Sequence, residues 1–286
     1  MTTTGKRLRL ARFRLPRSRY GLIVPIDHGL TVGPIAGIES TTRITGWIDH
    51  GSVSGIIAHK GMIERLVAHR CFSSSVGIMM HLTGMSTLAA DPDRKLRLTS
   101  METAVRYGAD AVSLQVNFDG ENDAHNLELI GNIVDNAQPY GLPVLAMVYD
   151  MVAKPREEKV ARQRHLMRIA VELGVDAIKI APPDEISDLP EILKDIVDDV
   201  AVFCAGGTIR SDEALLELAR QAAIHGAAGV CVGRNVFQRT APGEVLDRIR
   251  AELAAVEATA CRDRAPAVHE PVLRAGMSRK PDGAIS

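Results

Sequence analysis

Long apolar runs, paired cysteines, histidine metal motifs and an excess of either charge are all missing from this 286-residue sequence, and each absence removes a class of function. No apolar stretch approaches the length that spans a bilayer, so no membrane role is expected. The 34 basic and 35 acidic residues leave a formal net charge of −1, with no global field to attract nucleic acid or an anionic surface. Cys71, Cys204, Cys231 and Cys261 form no CxxC pair, and Cys204 and Cys231 sit in apolar runs where a thiol acts as a small hydrophobe. A reducing compartment, the cytoplasm, is the expectation. The basic start, with Lys6, Arg7, Arg9, Arg12, Arg14, Arg17 and Arg19, lacks the apolar core of a secretory signal and reads as a solvated amphipathic helix within 1–20.

What the chain does have is rhythm. It is 46% hydrophobic and 24% charged, as a soluble globular domain is. Strand-length apolar runs recur at 22–26, 55–58, 76–80, 111–114, 144–148, 177–180, 200–203 and 229–232, with helix-periodic segments between them. Ser211-Asp212-Glu213 opens the segment 214–223, Thr99 or Ser100 caps the one ending at Gly108, and Pro155 begins a charged helix reaching Leu173. Gly108, Gly141, Gly174 and Gly226 stand where left-handed helix ends are wanted. The strands alternate little, which indicates a parallel sheet covered on both faces. Eight such units predict a single-domain α/β fold, a (β/α)8 TIM barrel over 21–258 followed by a tail or oligomer arm over 259–286; a doubly wound open sheet is the alternative.

A barrel places its active site at the C-terminal ends of the strands. The sequence sets a polar or reactive group at each of these ends: Asp27-His28-Gly29, His59-Lys60-Gly61, His81, Gln115 with Asn117, Tyr149-Asp150, Lys179, Gly206-Gly207 and Gly233-Arg234. Lys179 is the most telling, because it lies inside the apolar run 175–183. Burial disfavours the ammonium form, so the strand can present a neutral amine to a carbonyl substrate, or else the lysine is ion-paired, for instance with Asp27. Tyr149 supplies a phenol for proton transfer, and Asp27 can hold or shuttle protons.

The glycines after the last two strands let backbone N–H groups approach phosphate oxygens, and Arg234 adds charge-assisted hydrogen bonds, which points to a phosphorylated small molecule. Asp27 and His28, completed by His59, His81 or Asp150, would make the alternative of a divalent-metal site, but no HxH or HExxH spacing occurs. The reading therefore calls for neither metal nor cofactor. His59 and His81 read as polar lining, while His125, His165 and His225 lie on helices without evident partners.

Across 6–250 these residues resemble the DeoC/archaeal class I aldolase family, which includes archaeal-type fructose-bisphosphate aldolase, 2-amino-3,7-dideoxy-D-threo-hept-6-ulosonate synthase and the autoinducer-2 thiolase. The marks are Val24-Pro25-Ile26-Asp27-His28-Gly29 with Gly33-Pro34, His59-Lys60-Gly61, Asp91-Pro92-Asp93, Val116-Asn117, Met147-Val148-Tyr149, Ile178-Lys179, Ala205-Gly206-Gly207 and the run from Val232-Gly233-Arg234 to Gln238. The resemblance implies that Lys179 forms the Schiff base, Tyr149 donates the proton and Asp27 is the acid/base partner. It also implies that His28, Gly29, Leu30 and Thr31 line the substrate site, that Gly206, Gly207, Gly233 and Arg234 hold phosphate, and that the chain assembles as a homo-oligomer, a pentamer or decamer.

His59, Lys60, His81, Asp91 to Asp93 and Met147 resemble the heptulosonate synthases most. The flanks differ: Asp150 and Met151 follow Tyr149, Ile180 to Pro183 follow Lys179, and Thr208 to Arg210 follow Gly207. Asp150 and Met151 are read as substrate-binding, with Asp150 favouring an acceptor that bears an amine over a second phosphate. The implied reaction joins a phosphorylated ketone, dihydroxyacetone phosphate or a ketose phosphate, to an aldehyde such as aspartate semialdehyde. Fructose-bisphosphate aldolase, a phosphorylated-diketone thiolase and a non-catalytic sugar-phosphate-binding barrel are the alternatives.

Overall fold

The computed structural model describes residues 4–71 and 75–264, with side chains to residue 260; most of the expected tail, and the Cys261 side chain, lie outside the described residues. Eight parallel strands close into a barrel: β1 Gly21–Pro25, β2 Gly55–Ala58, β3 Gly77–His81, β4 Ala111–Phe118, β5 Val144–Asp150, β6 Ala177–Ile180, β7 Ala201–Ala205 and β8 Gly229–Cys231. Each pairs with its neighbour in sequence, and β1 closes the ring on β8 through Gly21 opposite Gly229. Helices fill the connections, the longest being Arg156–Glu172 and Pro242–Arg264. The (β/α)8 barrel is thus as expected, and no described helix is long and apolar enough to cross a membrane.

Local chemistry accounts for the element ends. Ser100 and Ser211 each accept a hydrogen bond from the backbone N–H three residues on, from Thr103 and Ala214. The four predicted glycine stops, Gly108, Gly141, Gly174 and Gly226, all take left-handed φ between 59° and 89°. One element has no counterpart in the strand pattern: a small antiparallel hairpin, Thr83–Gly84 with Leu96–Arg97, is inserted between β3 and β4. Two-residue strands in a polar stretch carry too little apolar periodicity to be read from sequence.

Strand alternation divides the apolar residues into two cores. Even-numbered strand residues such as Leu22, Ile56, Val112, Ile178 and Val202 pack outward against the helices. Odd-numbered ones, Ile23, Ile57, Met79, Ala111, Leu145, Met147, Ala177, Phe203 and Cys231, fill the inside of the barrel together with Phe13. Phe13 comes from the segment before β1 and is 2% exposed. Its ring lies where a Cβ on Gly55 or Gly77 would stand, at 2.5 and 2.9 Å from it, and its carbonyl accepts from Ser54 Oγ at 2.9 Å. The strand-start glycines thus make room for an aromatic plug that closes the floor.

The helix Thr4–Ala11 leading to this plug buries none of its side chains and is held by charge, through Lys6 to Asp176 at 2.8 Å and Arg9 to the Gly141 carbonyl at 3.1 Å. Replacing Phe13 by Ala removes the plug and leaves a cavity, with an expected loss of about 3–5 kcal/mol in urea unfolding. A loss under about 1 kcal/mol would mean that the floor collapses without cost.

Candidate active site

The same alternation decides which strand-end residues meet. Odd positions continue upward from the inner core, and they surround a cavity of about 230 Å³ at the C-terminal mouth. Asp27, His28 and Thr31 enter after β1, His59 after β2, His81 at the end of β3, Gln115 from β4, Tyr149 from β5, Lys179 from β6 and Arg234 after β8. Val32, Gly84, Lys95 and Met147 complete the wall. Among the described residues, Gly29, Leu30, Lys60, Asn117, Asp150, Met151, Gly206, Gly207 and Gly233 do not border it. Met147 has a readable signal, since it lies two residues before Tyr149 on the same face. Gly84 and Lys95 come from the hairpin, and no strand-end argument reaches them.

Lys179 sits in register with Met147, its Nζ 3.7 Å from the Met147 sulfur, and is 6% exposed. Burial opposes its charge, but Cys231, Tyr149 and Asp27 act the other way, and the balance holds it above the ordinary lysine range. The Cys231 thiol is itself pushed up to about 11 by burial, so at neutral pH it carries no charge. Asp27 then supplies the anion facing the amine. The resting Lys179 is therefore an ammonium, the ion-paired state that the sequence left open beside the neutral amine.

Asp27 is the hub of the opposite wall. Burial alone would raise its pKa, but His81, His28, Lys179 and His59 bring it below the ordinary carboxylate value. Its oxygens lie 3.4 Å from His28 Nδ1 and 3.7 Å from His81 Nε2. His81 is buried, with Nδ1 2.8 Å from Ser113 Oγ and its ring edge-on to His59 at 5.1 Å. Desolvation outweighs Asp27 and pushes His81 down to about 3, and it lowers His28 and His59 as well. All three imidazoles are neutral at pH 7.

Asp150 is placed differently from its expected role. Its even position turns it out of the barrel, where both carboxylate oxygens bind Arg162, at 2.7 and 2.8 Å, and Oδ1 also accepts from Val152 N–H at 3.1 Å. It borders a separate depression of about 160 Å³ with Arg156, Lys159, Pro182 and Pro183, outside the strand wall. Asp150 therefore does not select an amine-bearing acceptor at Lys179, contrary to the role expected of it.

The two glycine loops beyond β7 and β8 are joined by Asn235, which is fully buried. Its Nδ2 donates to the Gly206 and Thr208 carbonyls at 3.2 and 3.0 Å, and its Oδ1 accepts from Arg210 N–H at 2.9 Å. Gly207 is left-handed at φ 70°, and a Cβ there would lie 2.9 Å from Pro182. His125 does have a partner, the Lys95 carbonyl 2.8 Å from its Nε2.

Residues 21–239 match the model of the DeoC/LacD family aldolases. The chain belongs to that family. It is 34% identical over 241 residues to 2-amino-3,7-dideoxy-D-threo-hept-6-ulosonate synthase 1 of Archaeoglobus fulgidus, covering 83% of this chain and 86% of the relative. It is 33% identical over 267 residues to 2-amino-4,5-dihydroxy-6-oxo-7-(phosphonooxy)heptanoate synthase of Streptomyces griseus, covering 92% and 95%. Among solved structures, an archaeal fructose-1,6-bisphosphate aldolase with its catalytic lysine bound to the carbinolamine intermediate superposes with TM-score 0.73 at 25% identity, over 88% of this chain and 98% of that one. This DeoC/LacD member is an aldolase of the Schiff-base type.

The buried histidines give the site a pH signature. The unfolded chain protonates His81 near its ordinary 6.5, while the folded chain does so only near 3. Stability tied to His81 is therefore complete above pH 6.5 and drains as pH falls towards 3. Urea unfolding of the wild type and of His81→Gln at pH 7, 5.5 and 4.5 should show a shallower loss in the variant, by up to about 1.4 kcal/mol per pH unit. Equal slopes in the two proteins would show that folded His81 titrates normally.

Proposed function

We propose that Lys179 is the Schiff-base lysine, Tyr149 the proton donor and Asp27 the acid/base partner of an enzyme that joins a phosphorylated ketone to an aldehyde. The observation that carries this is a buried, charged lysine sharing one small cavity with a phenol and an anionic aspartate. The amine first gives up its proton, for which the anionic Asp27 provides the base. It then attacks the ketone, and Asp27 assists loss of water from the carbinolamine.

The resulting iminium accepts the electrons released when the neighbouring carbon loses a proton. The enamine so formed attacks the aldehyde carbon, Tyr149 protonates the new alkoxide, and water releases the product from Lys179. Run backwards, the same steps cleave the bond. Arg234, which borders the cavity, would hold the phosphate, with Asn235 fixing the loop after β7 against the loop after β8.

The substrates are read from likeness. The product in the Streptomyces griseus enzyme's name carries a phosphate at one end and an α-amino carboxylate at the other. A donor such as dihydroxyacetone phosphate or a ketose phosphate and an acceptor such as aspartate semialdehyde fit that pattern, in a homo-oligomeric cytoplasmic enzyme. Borohydride with dihydroxyacetone phosphate should add the reduced donor's mass at Lys179 and nowhere in Lys179→Met. Tyr149→Phe should lower kcat by roughly 10²–10⁴-fold while trapping persists. Absence of an adduct on the wild type would overturn the assignment.

A further inference from the structure

Two cations look into the cavity from opposite sides, in addition to Lys179. Arg234 follows β8, whereas Lys95 comes from the hairpin between β3 and β4, on the far side of the ring. Lys95 is 4% exposed, while Arg94 and Arg97 on the same segment are largely open to solvent. A lysine is seldom buried on a surface insertion without a task, because desolvation disfavours its charge.

The loop carrying Lys95 is pinned from several sides. Thr83 Oγ1 accepts from Gln115 N–H at 2.8 Å, Gln115 Nε2 donates to Asn117 Oδ1 at 2.8 Å, and Asn117 Nδ2 donates to Asp93 Oδ1 at 2.6 Å. Lys95 Nζ donates to the Pro92 carbonyl at 2.6 Å. Burial draws its pKa below the ordinary lysine value against the pull of Asp93 and Asp91. An arriving anion would complete the ammonium's coordination and offset that penalty.

We propose that Lys95 binds the carboxylate of the acceptor aldehyde and so selects acidic over neutral acceptors, with the donor phosphate held across the cavity at Arg234. This rests on the aldolase reading above and adds the acceptor's class and the residue that recognises it. A carboxylate fits better than a second phosphate: one proton of the ammonium is already used on Pro92, and Asp91 and Asp93 beside it repel a dianion more than a monoanion.

The probes are L-homoserine, an unreactive alcohol with an α-amino carboxylate, and L-homoserinamide, which lacks the negative charge. Calorimetric titration should show that the wild type binds L-homoserine, that Lys95→Met weakens it about tenfold or more, that Lys95→Arg retains part of the affinity, and that the amide is unaffected. The matching kinetic result is a loss of kcat/KM for succinic semialdehyde but not butanal. No binding of L-homoserine to the wild type, or an equal loss for acid and amide in Lys95→Met, would overturn the proposal. Borohydride trapping of the donor at Lys179 in the same preparations separates the two ideas. Failed trapping sinks the Schiff-base assignment, whereas normal trapping with unchanged discrimination sinks the role of Lys95 alone.

Discussion

A parallel strand sends successive side chains to opposite faces, and closing eight of them into a ring turns that rule into a sorting device. One set of residues packs against the helices, and the other fills a tube floored by Phe13 and open above. Everything chemical in this protein follows from which set a residue falls in. Ile23 and Asp27, Met79 and His81, Met147 and Tyr149, and Ala177 and Lys179 are pairs in the same column: the lower member supplies apolar packing, and the upper one supplies function. Because the lower members fix the columns, His81, Tyr149 and Lys179 are placed by their strands themselves, and Asp27 by the turn directly after β1.

The upper layer is an electrostatic compromise. Lys179 and Asp27 are both kept from water, and several neighbours besides one another favour their charged forms: Cys231 and Tyr149 as well as Asp27 for the lysine, His81 and His28 as well as Lys179 for the carboxylate. Around them stand imidazoles too desolvated to take a proton and a thiol too buried to lose one. The site therefore sets Lys179 and Asp27 among neutral imidazoles and a neutral thiol, with Arg234 and Lys95 as further cations on the wall. Such a lining suits chemistry in which a lysine must alternate between ammonium, amine and iminium.

Much of this was legible beforehand. The strands at 55–58 and 177–180 have the bounds read from the sequence, and all four glycine stops take the conformation their positions called for. Most of the cavity wall, including Asp27, Tyr149 and Lys179, could be listed because a barrel makes strand ends converge. Asp150 shares a strand end with Tyr149 but not a face: counting by two from Leu145 puts Tyr149 inside and Asp150 outside. Lys95 was out of reach for a different reason: its approach depends on a hairpin held by the side chains of Thr83, Gln115, Asn117 and Asp93, and such contacts leave no periodic trace.

The plug at the floor ties the two ends of the chain together. Phe13 lies across glycines of β2 and β3, while Ser18 Oγ and Arg19 N–H donate to Glu257 of the last helix at 2.6 and 2.9 Å. The first strand is completed only by pairing with the eighth. The segment before and within β1 therefore has partners both near in sequence, at Ser54, Gly55 and Gly77, and far from it, at Gly229 and Glu257. The contact between Ser18 and Glu257 joins residues 239 apart, so sealing the ring carries a larger loop-closure entropy than pairing any two strands that follow one another in sequence.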